Sequence, residues 1–280
     1  MPKVFVQANT ILKKQLLESA DLTDAEKLSL PRGKEFYASE VAPDRNQHLR
    51  LKLASPMRAD DQKTMLQTVY AYDPHISVEG EGANQAIKLD VRYCSQLNND
   101  TAVFGPGWRQ CNTTSNTMLA DYLLQGELSK RAKAQGHPEP ESVYMRIVNK
   151  YGDTIDHVAQ TKALKELGIK SYFSYSLSGA DVLASLRAKV PVVCGFAYKS
   201  SGHICVIIGH DPIQKVWLVH DPYGTRHGAS DSYDVGVGGA CDRYSYAVMQ
   251  QVFWDQGGEA GWGRIVTSVK EKPTGLVGGL

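Results

Sequence analysis

Cys111 lies in Trp108-Arg109-Gln110-Cys111-Asn112-Thr113-Thr114-Ser115, directly ahead of a run with helical spacing. Far downstream come Gly202-His203 and Asp221-Pro222-Tyr223-Gly224, each on a strand-like segment. A thiol, an imidazole and a carboxylate in this setting are the parts of a nucleophile, its base and the group that orients the base. A helix N-terminus and a neighbouring imidazolium both favour a thiolate, and Cys111 is placed to receive both. His203 would then protonate a leaving amine and later activate water, while Asp221 fixes the imidazole tautomer. The tetrahedral oxyanion needs donors. The Cys111 backbone N–H is one, and an upstream amide side chain is the other. Gln96, in Tyr93-Cys94-Ser95-Gln96-Leu97-Asn98-Asn99, is preferred to Gln110, because adjacency to Cys111 does not aim a side chain into the same cleft.

Two strands joined by a turn around Asp211-Pro212-Ile213-Gln214 must bring the histidine and the acid together. His203 and Asp221 each stand nine residues from Pro212. A hairpin centred on Pro212 therefore sets them directly opposite, on one face, with Cβ atoms about 5 Å apart. A one-residue slip would send them to opposite faces. His220 precedes Asp221 and is expected on the other face, and His210 sits at the turn end. His48, His75, His137, His157 and His227 lack a partner pattern and are expected at the surface.

The surrounding elements divide into two units. Residues 1–83 hold short alternating segments, including Lys34–Val41 and His48–Leu53, separated by turn signals at Pro31-Arg32-Gly33 and Pro43-Asp44-Arg45-Asn46. This is the pattern of a small β-barrel or meander, with Leu22–Glu26 as a capped helical turn. Glu79-Gly80-Glu81-Gly82-Ala83-Asn84 is a hinge candidate. Residues 84–280 start with helices: one from the cap residues Asn112–Ser115 toward Arg131, one over Thr154–Leu167 with Gly168 as C-cap, and one over Ala180–Ala188 with Ser178 near its start. Strands follow at Val190–Tyr198, His203–Ile208 and Lys215–His220, with at least one more within Tyr244–Trp254. Helices first and an antiparallel sheet afterwards make an α+β fold.

With 31 basic and 30 acidic residues, the net charge of +1 gives no prior for nucleic-acid binding. No apolar run reaches transmembrane length. The N-terminus lacks the apolar core of a secretory signal, so synthesis in the cytoplasm is expected. The five cysteines are Cys94, Cys111, Cys194, Cys205 and Cys241. Their odd number and spacing fit neither a disulfide framework nor a structural zinc site. Cys194 and Cys205 read as small core hydrophobes. No metal or organic cofactor is expected. Val235–Cys241 is a glycine-rich loop that can flank the cleft, without the features of a phosphate loop. Trp108, Tyr223 and Trp262 are candidates to line a substrate groove.

The quoted motifs resemble the double-glycine-peptidase-like branch of the papain-like cysteine peptidases. Ser95–Asn99 looks like that branch's Ser-Gln-Arg-Asp-Asn segment, and Cys111–Ser115 like its Cys-Asn-x-Thr-Ser helix start. Gly202-His203 ahead of Val206–Gly209, followed by Asp221-Pro222-Tyr223-Gly224, is similar to its histidine strand and Asp-Pro turn. The resemblance covers residues 88 to 255 and implies a papain-like fold with Gln96, Cys111, His203 and Asp221 as catalytic residues. Two features depart from the pattern. Phe104–Trp108 lengthens the gap between Gln96 and Cys111, and the membrane and ATPase segments of the peptide exporters are missing from this sequence. The first unit resembles a small SH3-like barrel of the sort attached to cell-wall lysins.

Together the two units lead to the expectation of a phage or bacterial peptidoglycan hydrolase of the endolysin type, monomeric, acting on the wall once the membrane is permeabilised. It would cut an amide bond in the stem peptide or cross-bridge. The competing expectations are a cysteine peptidase of proteins or peptides, a transferase using the same thiol, and a non-catalytic wall-binding or virion protein that retains the fold.

Overall fold

The computed structural model describes residues 1–44, 48–79, 86–137, 139–257 and 260–270. The N-terminal strands are Lys3–Val6, Thr10–Lys13, Lys27–Leu30, Glu35–Pro43, His48–Arg58, Met65–Tyr72 and Ile76–Glu79 (β1–β7). They form one antiparallel sheet in the order β3-β2-β6-β5-β4-β1-β7. Alternating inward residues such as Val4, Val6, Leu51, Leu53, Val69 and Ala71 give this unit a hydrophobic core of its own. The stretch expected to form a helical turn, Leu22–Glu26, is instead a turn closed by Thr23 and Glu26; the short 3₁₀ helix lies just before it, at Ser19–Asp21. The expected hinge from Gly80 onward, the boundary at 83/84 and the Arg45-Asn46 part of the expected turn lie outside the described residues.

The rest of the chain runs β8 (Ile87–Lys88), α1 (Thr101–Phe104), α2 (Cys111–Leu123), α3 (Glu127–Ala134), α4 (Glu141–Val148), α5 (His157–Glu166), β9 (Ile169–Leu177) and α6 (Gly179–Arg187). It continues as β10 (Val192–Phe196), β11 (His203–Asp211), β12 (Val216–Asp221), β13 (Thr225–Arg226), β14 (Tyr233–Asp234), β15 (Gly239–Ser245), α7 (Tyr246–Val252) and β16 (Gly261–Val269). Helices precede an antiparallel sheet ordered β15-β12-β11-β10-β16-β9, which fits the papain-like α+β arrangement the motifs implied. The helix expected to reach Arg131 is broken at Leu123, because Gln125 and Gly126 take positive φ values of 55° and 79° before α3 begins. Of Tyr244–Trp254, within which at least one strand was expected, only Tyr244 and Ser245, the end of β15, are strand, and Tyr246–Val252 form helix α7. Ser245 caps it by accepting from the Val248 N–H, so the chain leaves the sheet there. Ser178 and Asp181 form a capping box on α6.

α2 is buried on nearly every side, although its sequence is rich in small polar residues. Each of several polar groups finds a partner. Thr113 and Thr154 hydroxyls lie 2.7 Å apart, Asn99 donates to Thr114 Oγ1 at 2.8 Å, and Ser115 donates to the Ile204 carbonyl at 2.9 Å. The last bond ties the turn after Cys111 to the residue after His203. The helix is thus held by specific hydrogen bonds where an apolar stripe would leave its rotation less determined.

The β11–β12 hairpin differs from the expected register. Near the turn, Asp211 pairs with Val216 and His210 with Trp217, so the pairing centres between residues 213 and 214. Continued unchanged, that register would put His203 and Asp221 on opposite faces. A bulge between Ile207 and Gly209 absorbs one residue, and beyond it Val206 pairs with His220, centring on 213. His203 and Asp221 therefore share a face as diagonal neighbours, and continuing the register sets Cys205 opposite Asp221. The four-residue turn carries the centre past Pro212. Gly209 is required beside the bulge, since a Cβ there would lie 2.2 Å from the Ile87 carbonyl of β8.

Candidate active site

Cys111 is the first residue of α2, and no side chain caps the helix there. The first-turn amides have no intrahelical partners and leave a positive end at the sulfur. Cys111 and His203 line a common cleft of about 600 Å³ with Trp108, Asn112, His157, Tyr223 and Trp262. All three aromatic residues expected at a groove are in this lining.

His203 Nε2 lies 2.7 Å from Asp221 Oδ1, and both groups are buried. This leaves Nδ1 as the ring nitrogen free to face the thiol. Asp221 accepts three further hydrogen bonds: from the Tyr223 N–H to Oδ1 at 3.0 Å, and from the Tyr233 and Tyr244 hydroxyls to Oδ2 at 3.0 and 2.9 Å. Burial alone would push the acid up, but the His203 charge and these donors hold its pKa below the ordinary carboxylate value. Burial likewise opposes the imidazolium. The Asp221 charge and hydrogen bond, helped by the neighbouring Cys205 and Cys111 side chains, overcome it and hold His203 well above its usual value. Tyr198, Tyr223 and Tyr233 present ring edges around the imidazole at 5.9, 6.0 and 5.8 Å between centroids.

Gln96 is placed differently from expectation. It is fully buried and does not line the cleft. Its Nε2 donates to the Gly107 and Trp108 carbonyls at 3.0 and 2.9 Å. The inserted Phe104–Trp108 segment folds back over it so closely that only glycine fits at 107, where a Cβ would lie 2.1 Å from the Gln96 carbonyl oxygen. Gln110 is also buried, donating to the Gly105 carbonyl at 2.7 Å and accepting from Asn99, so it turns away from the cleft.

His157, expected at the surface, is a wall of the cleft. It stacks on Phe173 at 3.6 Å, its Nδ1 is 3.5 Å from Asn112 Nδ2, and burial with the nearby Arg264 charge lowers its pKa to about 4. His220 faces away from the dyad. Its Nε2 donates to the Val91 carbonyl at 2.8 Å while Nδ1 accepts from the Cys241 N–H. His210 contacts the Tyr246 hydroxyl at 2.6 Å. The sequence reading missed Tyr233 and Tyr244, which have no motif spacing to Asp221. Tyr244 reaches it only because β15 pairs with β12.

His203, Cys205 and Asp221 bring their ligand-type atoms within 4.8 Å of one another. Nitrogen, sulfur and oxygen donors suit a transition metal. Here, however, the ring nitrogen and both carboxylate oxygens already hold hydrogen bonds to one another and to three protein donors. Burial pushes the Cys205 thiol up, away from the thiolate a metal needs.

A family model described as the Peptidase_C39-like family matches residues 88–252, more than half of the chain. Among solved structures, the peptidase domain of Streptococcus ComA, a bi-functional ABC transporter involved in a quorum-sensing pathway, is similar at 17% identity. That match covers 59% of this chain and 95% of the other, with a TM-score of 0.34. Agreement that loose determines no detail here. No curated protein matches the chain.

Proposed function

The chain belongs to the Peptidase_C39-like family, a kinship that marks it as a cysteine peptidase, and from that premise we propose a peptidoglycan hydrolase that cuts an amide bond by a Cys111–His203–Asp221 mechanism. The observation that carries the reading is the buried His203–Asp221 pair at 2.7 Å, opening onto the same cleft as a cysteine at an uncapped helix start. An imidazolium that keeps its proton is the counter-charge a thiolate needs. The sulfur attacks the scissile carbonyl carbon, and the resulting oxyanion faces the Cys111 N–H at the head of α2. Collapse breaks the C–N bond as His203 gives its proton to the departing amine. Water, deprotonated by the now neutral imidazole, then hydrolyses the thioester and restores thiolate and imidazolium. In this reading Gln96 becomes the second oxyanion donor when the Phe104–Trp108 segment shifts and its Nε2 leaves the Trp108 carbonyl for the substrate oxygen.

Residues 1–83 are assigned as a wall-binding unit of SH3-like type, separate from a peptidase unit over 84–280. The support is their own hydrophobic core and all-antiparallel strands. The wall as substrate is supported by the pairing of such a unit with a thiol peptidase site and by the aromatic lining of the cleft.

The test is digestion of isolated sacculi, with mass spectrometry of the released fragments. Wild type is expected to release peptides with a new amine and a new carboxylate, and Cys111→Ala none, at unchanged thermal stability. Wild-type inactivity on sacculi together with cleavage of casein or free peptides would replace the wall by a protein substrate. Equal release by both proteins would refute the thiol mechanism.

A further inference from the structure

One wall of the cleft continues outside it as a strip of rings. His157 lies flat on Phe173, Phe173 meets Tyr175 edge-on at 5.3 Å, and Tyr175 meets Trp262 at 5.5 Å. His157 and Trp262 line the cleft, whereas Tyr175 stands beyond it on β9, the edge strand of the sheet. Trp262 is 42% exposed and Tyr175 58%. Contiguous rings left wet in this way mark a surface made for contact.

The strip is rigid. β9 and β16 pair along almost their whole length, and the buried Arg264 braces it from behind. Its guanidinium lies 5.8 Å from the Phe173 ring centre and donates to Thr161, Ser171 and the His157 carbonyl. The four rings carry no carboxylate or ammonium group, so they do not select a charged peptide. Tyr175 and Trp262, uncharged and half-exposed, suit the C–H faces of pyranose rings, while the stacked His157 and Phe173 back them. A stem peptide lying in the cleft is covalently attached to a glycan strand, which must leave across an adjoining wall.

We propose that the strip from His157 through Phe173 and Tyr175 to Trp262 is a carbohydrate subsite that holds the glycan strand while its peptide occupies the cleft. The proposal rests on the peptidoglycan reading and adds the sugar to the recognised substrate. The competing occupant, an extended peptide pairing with the outer edge of β9, is separated by experiment.

The full-length Cys111→Ala protein is titrated with a β-1,4-linked N-acetylglucosamine tetramer and, separately, with a sugar-free stem peptide, following tryptophan emission. The tetramer is expected to give a saturable change that disappears in Trp262→Phe. Tyr175→Ala should weaken its binding roughly 3- to 10-fold, as expected for loss of one stacking ring, while Tyr175→Phe retains it. Placed in the otherwise wild-type enzyme, Tyr175→Ala should slow sacculus hydrolysis by a similar factor and leave stem-peptide hydrolysis unchanged. Absence of a tetramer response, or an equal loss on sacculi and on free peptide, overturns the proposal. The two readings fail separately. Tetramer binding by a protein inactive on sacculi would sink the hydrolase assignment and keep the sugar site, while sacculus hydrolysis without tetramer binding would do the reverse.

Discussion

Tyr244→Phe removes one oxygen and nothing else, and it asks whether Asp221 depends on its hydroxyl partners. The Tyr244 side chain is buried, does not line the cleft, and donates to Asp221 Oδ2 at 2.9 Å. Without it, that oxygen keeps only the Tyr233 hydroxyl at 3.0 Å. Loss of a hydrogen bond to a buried charge costs about 1.5–3 kcal/mol, which lowers the melting temperature by roughly 3–12 °C in a protein of this size. The loss should also appear in kcat, because a less restrained carboxylate holds His203 less firmly. KM should change little, since the substrate does not touch Tyr244. Urea melts and steady-state kinetics on wild type, Tyr244→Phe, Asp221→Asn and the double variant give the coupling. The effect of Tyr244→Phe is expected to shrink by at least about 1 kcal/mol in the Asp221→Asn background, where an amide replaces the carboxylate, as neutral hydrogen bonds are weaker. A stability change under about 0.5 kcal/mol, or the same loss in both backgrounds, would refute the claim that this hydroxyl supports the charge.

Iodoacetamide should modify Cys111 first, with Cys94, Cys194 and Cys205 resisting because burial raises all three thiols; peptide mapping that finds Cys205 labelled earliest would contradict the site. In Cys111→Ala, which removes the thiol whose proton would offset the count, stability should fall as pH rises above about 7. The unfolded histidine has already lost its proton near pH 6.5, while native His203, held well above that value, still binds one. The slope should approach about 1.4 kcal/mol per pH unit and flatten when His203→Gln is added; a Cys111→Ala curve level above pH 7 would exclude a raised His203. Gly209→Ala should destabilise by about 1–3 kcal/mol or more and lower activity, because the new methyl would meet the Ile87 carbonyl at 2.2 Å and disturb the bulge; unchanged urea melts would show that β8 can move aside.

Residue chemistry and local periodicity determined a good deal of this protein. Cys111 at a helix start was legible because polar cap residues precede a helical spacing, and that is local information. The strands carrying His203 and Asp221 were legible from their apolar runs. The aromatic composition of the cleft could be named from Trp108, Tyr223 and Trp262. What brings the groups within reach was decided elsewhere. The face shared by His203 and Asp221 depends on a bulge between Ile207 and Gly209, and one inserted residue changes the side of a sheet without changing its composition. Tyr233, Tyr244 and His157 join the site through strand pairing and stacking over long sequence separations. The Gln96 amide is held on the Gly107 and Trp108 carbonyls by the fold of the Phe104–Trp108 insertion over it. Periodicity reports which residues share an element, whereas the register between elements comes from turns, bulges and close backbone packing, which only the assembled chain determines.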